Sequence, residues 1–383
     1  MRITTVEAFA VSAPSSRSAG GAGTSGERSS SERYARIGPY RPLFPRELET
    51  MLVRISAEDG TTGWGESQAP VGNRAVAAIV EDVLSPVLLG RDPLEHAVLE
   101  RAMYDAMRDR GHGGGFMLDA IAGADLALWD LVGKHYGAPV ARLLGGPFAD
   151  RLPVYLSGPR GETVEARLAE AEVFVERGFR AVKLFVGRSV AEDLAEVRAF
   201  RERFGEQLAI LVDAHWQCSR ADALRLGRGL EELGATFLES PLDPEDVAGH
   251  AALAAALDLP IALGETERTR WQVLPFVERG AVDVLQPDVG RCGVGEAHRI
   301  ALLAELHNLP VAIHCGVGFG PYLAASAQVA AAIPNLLYLE YQPDMHELAR
   351  SAYGLELAVD DGRLVLPGGP GLGIPEPPEE LLG

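Results

Sequence analysis

The sequence predicts an α/β protein in which a closed (β/α)8-type TIM barrel follows a smaller α+β domain. A chain of 383 residues is long enough for one large and one small domain. Over residues 138–350, eight short apolar segments alternate with amphipathic helical segments. Parallel strands that are buried on both faces are apolar along their length, so the pattern indicates a parallel sheet. An open doubly wound sheet is the alternative, but eight even repeats favour a barrel.

The predicted barrel strands are short and apolar, and they follow one another at similar intervals. They are residues 152–157, 181–186, 209–213, 236–239, 261–265, 282–286, 311–314 and 336–340. In barrels of this kind the active site lies at the carboxyl ends of the strands, whatever the reaction. We therefore expect a site at that rim.

The first domain, residues 1–137, is predicted to contain three strands and then helices. Alternating residues predict strands over the first ten residues, over 49–56, and after the turn that begins at Asp59. Helical periodicity covers 74–89, 95–108 and 118–136. Strands followed by helices are typical of a compact α+β unit.

Two stretches lack this regularity. Residues 14–45 are rich in Ser, Gly, Arg and Pro and predict a long loop. The tail, residues 351–383, is too short and turn-rich for another barrel unit. We expect it to fold back and complete the first domain, which would cap the barrel.

The composition limits the possible partners. The formal net charge of −19 argues against nucleic acids and anionic membranes, because both would repel the protein. No apolar run reaches the ~18 residues of a membrane span, and the N-terminus lacks the layout of a signal peptide. The three cysteines, Cys218, Cys292 and Cys315, are far apart, which argues against a disulfide framework. We therefore expect a cytoplasmic protein.

Ionisable residues lie at the ends of the predicted strands. Asp213, Glu239 and Glu265 end three neighbouring strands, so their carboxylates should converge. Such carboxylates do not all stay ionised in a partly buried space without a cation. Ligation by oxygen alone suits a hard ion, Mg²⁺ first and Mn²⁺ second. The alternative is three separate surface acids, each paired with an arginine.

A histidine and an aspartate end two further adjacent strands. A carboxylate bonded to one imidazole nitrogen raises the basicity of the other nitrogen. His314 is therefore a candidate general base, with Asp288 as the residue that orients it. A structural histidine is the alternative. Glu340, on the eighth strand, is placed to hydrogen-bond a developing enolate oxygen if it is protonated.

Lysine is rare in this chain, which has 33 arginines but two lysines, Lys134 and Lys183. A lysine in such a composition is a candidate for work that arginine cannot do, such as changing its protonation state. Lys183 lies on the second strand, at the predicted rim, which favours a functional role for it. Leftover surface lysines are the alternative.

Motifs outside the strand ends add a family resemblance. They are AGADLALWDL at 122–131, Lys134, LLGG at 143–146 and PGLG at 370–373, beside the ordered Asp, Glu, Glu, Asp, His series of the strand ends. Together they resemble the enolase superfamily, in its mandelate racemase and muconate lactonizing branch, over essentially the whole chain. The resemblance implies that Asp213, Glu239 and Glu265 bind the metal, that Asp288 and His314 form a dyad on one face of the substrate, and that Glu340 assists the enolate.

Two departures from that family pattern bear on the reaction. Many members carry Lys-x-Lys on the second strand, where the second lysine is a base; here that position is Phe185. Lys183 then keeps the role of stabilising the substrate carboxylate, which disfavours racemisation with two bases. The third strand, which commonly ends Asp-x-Asn, here ends Asp213-Ala214-His215. This is similar to acid-sugar dehydratases whose strand-three histidine is the general acid, although His215 as a hydrogen-bonding neighbour of the metal site is the alternative.

The function expected from this resemblance is a hydro-lyase that dehydrates a sugar acid to a 2-keto-3-deoxy acid. The first alternative is a cycloisomerase, racemase or epimerase that acts on a lactone or an amino-acid derivative. The second is a non-catalytic ligand-binding barrel. A small carboxylic acid is the expected partner, and a homo-oligomer the expected assembly. Loops of the capping domain cover the barrel mouth in this branch, so residues 14–45 and 108–116 are expected to set specificity.

Overall fold

The first domain is built on an antiparallel sheet. A computed structural model describes the chain at residues 1–14, 27–30, 33–37 and 40–382. Three strands form the sheet in the spatial order β1 (Ile3–Ala13), β5 (Leu48–Ala57) and β6 (Thr62–Ser67). Strand β5 lies in the middle and is buried along most of its length, because one face packs in the core of the first domain and residues of the other face, Leu48 and Leu52, pack in the core that includes the barrel.

The prediction of a long loop over 14–45 is wrong for three short stretches. They form a second antiparallel sheet of β2 (Glu27–Ser30), β3 (Tyr34–Ile37) and β4 (Leu43–Pro45). The buried carboxylate of Glu49, on β5, anchors it by accepting hydrogen bonds from Arg33 Nη2 and Tyr34 OH, both at 2.9 Å. The composition of residues 14–45 does not predict these strands, because Glu49, the residue that anchors them, lies outside that segment. The rest of the predicted loop, at 15–26, 31–32 and 38–39, lies outside the described residues.

The helices of the first domain are those that the periodicity predicts. They are α1 (Asn73–Ile79), α2 (Ser85–Leu88), α3 (His96–Arg108) and α4 (Phe116–Tyr136), followed by the short α5 (Val140–Leu143). A π-helical turn, Val80–Leu84, joins α1 to α2, so the single helix predicted over 74–89 has a distorted centre. A 3-10 turn, Pro93–Glu95, precedes α3.

Strand β6 packs directly on the backbone of α4. A Cβ atom at Gly65 would lie 2.1 Å from the carbonyl oxygen of Gly123, and one at Gly63 would lie 2.1 Å from that of Ala127. No side chain fits at such distances, so glycine is required for the strand to approach the helix. This approach fixes the position of the residues that follow on β6.

Eight parallel strands form the barrel. They are β7 (Arg151–Ser157), β8 (Ala181–Phe185), β9 (Ala209–Asp213), β10 (Phe237–Glu239), β11 (Ile261–Leu263), β12 (Val284–Leu285), β13 (Val311–Ile313) and β14 (Leu336–Tyr341). Each pairs with the next, and β14 pairs with β7 in parallel, which closes the sheet. Seven inward side chains, among them Tyr155 and Phe237, fill the barrel as a separate buried cluster.

Helices connect the barrel strands on the outside. They are α6 (Val164–Glu176), α7 (Val190–Phe204), α8 (Arg220–Glu232), α9 (Val247–Ala254), α10 (Arg270–Glu278), α11 (Val289–Cys292), α12 (Val294–Leu306), α13 (Pro321–Ala331) and α14 (Pro343–Leu348), with a 3-10 turn at Gly205–Gln207 and a π-helical turn at Ala349–Tyr353. Serine or threonine caps several of their N-termini: Thr163, Ser189, Ser219 and Thr269 each accept a backbone hydrogen bond from the first turn.

The C-terminal tail contacts both domains. Its strands β15 (Val359–Asp360) and β16 (Arg363–Val365) extend the barrel sheet, where β16 pairs antiparallel with β7. Farther on, Gly371 O accepts a hydrogen bond from Val140 N, and Leu372 N donates one to Asp130 Oδ1, both at 2.9 Å. A short helix, α15 (Glu379–Leu382), ends the described chain beside β1.

The predicted fold class is confirmed: a closed barrel and a capping domain that the tail completes. The domain boundaries at residues 137 and 350 stay predictions. All three cysteines are free thiols. Among the described residues, no helix combines the length and the apolar character needed to cross a membrane.

Replacing Gly65 with alanine is expected to destabilise the protein, because the added Cβ collides with the backbone of α4. We expect the free energy of unfolding to fall by about 1–3 kcal/mol or more. Urea unfolding measures it, and Gly368→Ala is the matched control, since a Cβ there meets nothing within 4 Å. Equal unfolding midpoints for the two variants would contradict the proposed packing constraint.

Candidate active site

The carboxyl ends of the barrel strands carry a buried cluster of charged side chains. Seven predicted residues lie there, each at most 9% exposed: Lys183, Asp213, Glu239, Glu265, Asp288, His314 and Glu340. Several strands end earlier than predicted, so Glu265, Asp288 and His314 lie just beyond β11, β12 and β13. Buried charges cost free energy unless they compensate one another, so their pairing determines what this site can do.

Lys183 is the cation at the centre of this cluster. Its Nζ lies 3.0 and 3.1 Å from the two carboxylate oxygens of Glu239, 3.1 Å from Glu340 Oε1 and 3.9 Å from Asp213 Oδ2. Burial disfavours its charge, but Glu239 and Glu340 outweigh burial and raise the pKa of Lys183 well above its usual value. Lys183 is therefore a fixed cation rather than a group that changes its protonation state. Its compact ammonium group reaches three carboxylates at once.

Negative charge is in excess around this lysine. Burial raises the pKa of Asp213 to about 7, and Glu265 adds to the shift. Burial also raises the pKa of Glu239 to about 8, with a further contribution from Asp213. Like charges 4 Å apart repel by about 4 kcal/mol at an effective dielectric constant of about 20, so one lysine does not compensate several carboxylates. A divalent cation would remove the excess.

The donor set fits a hard divalent cation, although it does not single out the predicted ligands. Ligand atoms of Glu239, Glu265 and His314 lie within 4.8 Å of one another, the one such group among the described residues. Asp213 is outside that group, but it pairs with Glu239 in the register of β9 and β10. Carboxylate oxygens suit Mg²⁺ better than an imidazole does. The triad of Asp213, Glu239 and Glu265 therefore stays a prediction, with His314 as the competing third ligand.

His314 and Asp288 form a buried pair. Nδ1 of His314 lies 2.6 Å from Asp288 Oδ2, and because a carboxylate only accepts, Nδ1 carries the proton. The other nitrogen, Nε2, lies 3.1 Å from Glu265 Oε2. Burial lowers the pKa of His314, but Glu265, Glu340 and Asp288 outweigh it and raise that pKa to about 10. Positive charge beside Glu265 would lower the pKa again and leave Nε2 able to accept a proton.

Glu340 is ionised in this arrangement. Burial opposes its charge, but Lys183 and His314 outweigh burial and lower the pKa of Glu340 to about 2. The hydroxyl of Ser157 and the N–H of Cys315 also donate to the carboxylate. This environment disfavours a protonated Glu340, so its donation to an enolate oxygen stays a prediction. Its charge instead helps to hold Lys183 in place.

His215 lies across the barrel from His314, because β9 and β13 are four strands apart in the closed sheet. Its backbone is in the left-handed region, with φ 46°, and its N–H donates to Asp213 Oδ1 at 2.9 Å. The imidazole lies between the rings of Tyr40 and Phe185, with both ring centroids at 5.0 Å. Burial lowers the pKa of His215, against the effect of Glu265. A bound anion would favour its protonated form.

The first domain reaches this side of the site. Besides Tyr40, Arg41 donates to the carbonyl oxygen of Trp216 and forms an ion pair with Asp243 at 2.6 Å. The described part of 14–45 is thus in contact with the third strand end. Gly114, in the second segment expected to set specificity, instead lies beside Gln272 of α10. That both segments set specificity stays a prediction.

Sequence reasoning missed the polar groups that support the charged ones. Gln286 Nε2 donates to Glu239 Oε2 at 2.7 Å, Ser157 donates to Glu340, and Tyr322 OH donates to Asp288 Oδ2 at 2.8 Å. Gln286 and Ser157 lie at strand ends, so the rule that found the charged residues would also have found them. Tyr322 lies on α13 and carries no such signal.

The chain is similar to known proteins over most of its length. Residues 46–145 match the family model of the mandelate racemase / muconate lactonizing enzyme N-terminal domain, and residues 166–379 match the enolase C-terminal domain-like family. The chain is 35% identical over 337 residues to D-galactarolactone cycloisomerase of Agrobacterium fabrum, which covers 85% of this chain and 88% of that protein. It is 34% identical over 336 residues to arabinonate dehydratase of Saccharolobus solfataricus, which covers 86% and 89%.

A solved structure is similar over the whole fold. It is a racemase from Streptomyces coelicolor A3(2) with bound magnesium, 27% identical, with a TM-score of 0.85 over 99% of this chain and 98% of that one. The likeness extends the comparison to a protein whose structure holds the ion that the donor set here favours.

Mg²⁺ is expected to raise the thermal unfolding midpoint of the protein, because it neutralises the buried carboxylates. A ligand at 100 times its Kd stabilises by about 2.7 kcal/mol. Glu239→Gln should lose this response, measured by thermal shift and titration calorimetry. Glu206→Gln, at a residue 87% exposed, is the control and should keep it.

His314→Asn decides between the two ligand sets in the same assay. We expect it to keep the response to Mg²⁺, since the predicted ligands are carboxylates. Loss of the response in His314→Asn would make His314 a ligand, and an unchanged response in Glu239→Gln would contradict the site.

Proposed function

Because the chain belongs to the mandelate racemase and muconate lactonizing enzyme family of the enolase superfamily, we propose that it dehydrates a sugar acid to a 2-keto-3-deoxy acid. The observation that carries the proposal is the position of two histidines on opposite sides of the barrel mouth. Nδ1 of His314 is hydrogen-bonded to Asp288 at 2.6 Å, whereas Nδ1 of His215 lies 3.3 Å from Asp213 Oδ1 without forming a hydrogen bond. Elimination needs a base and an acid, and this asymmetry supplies both.

His314 is the proposed base. Its Nδ1–H is held by Asp288, so Nε2 faces the cluster and takes the proton next to the substrate carboxylate. Lys183, a fixed cation between Glu239 and Glu340, offers positive charge to that carboxylate and to the enolate that forms. Asp288 keeps the imidazole in one tautomer throughout.

A divalent cation held by Asp213, Glu239 and Glu265 would supply the positive charge that stabilises an enolate. The residues of this chain do the remaining work. Glu340 holds Lys183 by its charge, and Gln286 fixes the carboxylate of Glu239 by a hydrogen bond of 2.7 Å. These contacts keep the charges in place before the substrate binds, which is the arrangement that makes electrostatic stabilisation effective.

His215 is the proposed acid. It protonates the departing hydroxyl, and the resulting enol becomes the keto acid. Two aromatic rings, Tyr40 and Phe185, flank the imidazole, and the side chain of His215 stays 26% exposed. Phe185 also occupies the position at which a second lysine would act as base, so exchange of protons between two faces is disfavoured. A racemase is therefore the weaker proposal.

A cycloisomerase is the second candidate. The likeness to D-galactarolactone cycloisomerase favours it, since ring opening of a lactone by proton abstraction uses the same base and the same enolate. The two reactions differ in composition: dehydration loses water, whereas isomerisation does not. A non-catalytic barrel is disfavoured, because the dehydratase and cycloisomerase relatives match most of the chain. A homo-oligomer and a cytoplasmic location stay predictions.

Two histidine variants should separate the two steps in D₂O with sugar acids and Mg²⁺. His314→Asn is expected to lose both solvent exchange of the α-proton and water loss, because the base is gone. His215→Asn is expected to keep the exchange and to lose water elimination by about 10²–10⁴-fold, the usual contribution of a general acid. NMR of the substrate measures the exchange, and a keto-acid assay measures the product.

His307→Asn, at an exposed helix end, is the control for both variants and should behave as the wild type. Turnover in His314→Asn would remove the base assignment. Equal loss of exchange and elimination in His215→Asn would remove the acid assignment.

A further inference from the structure

Tyr322 is a fully buried tyrosine whose hydroxyl lies against the hydrogen-bonded pair of Asp288 and His314. Its OH donates to Asp288 Oδ2 at 2.8 Å, and it accepts a hydrogen bond from Gly316 N, also at 2.8 Å. Asp288 Oδ2 thus receives two donors, the hydroxyl of Tyr322 and Nδ1 of His314. The other carboxylate oxygen, Oδ1, has no hydrogen-bond partner in the described part of the chain.

The orientation of Asp288 therefore depends on a single oxygen atom. A carboxylate with one bonded oxygen can rotate about its Cβ–Cγ bond unless a second donor restrains it. Arg291 Nε is the nearest further cation, at 3.8 Å from the same Oδ2, beyond hydrogen-bond distance. The hydroxyl of Tyr322 is thus the second donor that fixes the carboxylate, and through it the imidazole of His314.

Tyr322 is in turn held by the first domain. Glu66, on β6, is fully buried and accepts hydrogen bonds from three backbone N–H groups at the start of α13: Phe319 at 2.6 Å, Gly320 at 3.0 Å and Tyr322 itself at 3.0 Å. A carboxylate at a helix N-terminus meets both unpaired N–H groups and the positive end of the helix dipole. Glu66 thereby places the first turn of α13, from which the side chain of Tyr322 projects.

The same strand end also holds α11, the short helix for which Asp288 is the N-cap. Gln68 N donates to Gly290 O at 2.9 Å, and the side-chain oxygen of Gln68 accepts from Arg291 Nε. A Cβ at Gly290 would lie 2.7 Å from the ring of Tyr322 and 2.9 Å from Gln68, so the three residues are closely packed. Tyr322 and the helix that follows Asp288 are therefore both positioned against the end of β6.

We propose that Tyr322 is a positioning residue for the base, acting through Asp288, and that Glu66 of the capping domain sets the place of Tyr322. The proposal rests on the proposed function, in which His314 takes the α-proton. It assigns the capping domain a part in the geometry of the base, in addition to any cover that it gives the barrel mouth.

Tyr322→Phe tests the proposal, with Tyr353→Phe as the matched control. Tyr353 is equally buried, at 1% exposed, and its hydroxyl has no partner among the described residues. We expect Tyr322→Phe to lower kcat and α-proton exchange together by about 10–100-fold, the usual cost of removing such a supporting hydrogen bond. KM and the response to Mg²⁺ should stay within about twofold of wild type, as should every parameter of Tyr353→Phe.

A spectroscopic measurement makes the test independent of turnover. The Nδ1 proton of His314 should give a low-field NMR signal that is absent in His314→Asn. This signal should shift in Tyr322→Phe and, more weakly, in Glu66→Gln, but not in Tyr353→Phe.

An unchanged signal in Tyr322→Phe would overturn the proposal, whether or not the protein is a dehydratase. A fall in kcat together with a rise in KM and loss of the Mg²⁺ response would also overturn the proposal, because that pattern indicates structural damage. Failure of the proposed function is a different result: His314→Asn would then retain proton exchange while the signal still shifts in Tyr322→Phe.

Discussion

The burial of five carboxyl groups at one end of the barrel is the constraint on which the rest of this structure depends: Asp213, Glu239, Glu265, Asp288 and Glu340. Parallel strands place these carboxyl groups at the same rim, so the groups lie close together even though their negative charges repel. Lys183 compensates part of the charge and is fixed as a cation by doing so. Burial, together with the remaining negative charge, raises the pKa of Asp213 and that of Glu239, and a divalent cation fits this excess of charge. The buried carboxylates lower the stability of the folded protein, but they would hold the cation that stabilises an anion.

The two histidines, on opposite sides of the rim, are held by different kinds of contact. On one side, Asp288 and Tyr322 hold His314 in one tautomer, and both depend on the end of β6. On the other, His215 lies between two aromatic rings, one of them Tyr40 of the first domain. The first domain therefore reaches His314 indirectly, through hydrogen bonds to the segments that carry Tyr322 and Asp288, and contacts His215 directly through the ring of Tyr40. The close packing of β6 on α4 at Gly63 and Gly65 fixes the position of the strand from which Glu66 makes its contacts.

Much of the fold and the charged residues of the site could be predicted from sequence, because alternating patterns and strand-end positions are local properties. Asp213 and Glu239 end the strands where the pattern places them. The protonation states could not be predicted in this way. Glu340 is ionised because Lys183 and His314 lie beside it, and that neighbourhood exists only in the folded chain. Glu66 and Tyr322 escaped notice for the same reason, since they meet across 256 residues of sequence.

The most direct test of the central claim is the position of deuterium in the product formed in D₂O with Mg²⁺. Dehydration by removal of the α-proton predicts a 2-keto-3-deoxy acid that carries one solvent deuterium at C3, where the enol is protonated. NMR and mass spectrometry of products from mono- and di-acid sugars identify it. Deuterium at C2 of an otherwise unchanged acid, or an isomer that has lost no water, would contradict dehydration. The first of these results would leave a base that exchanges the α-proton without elimination.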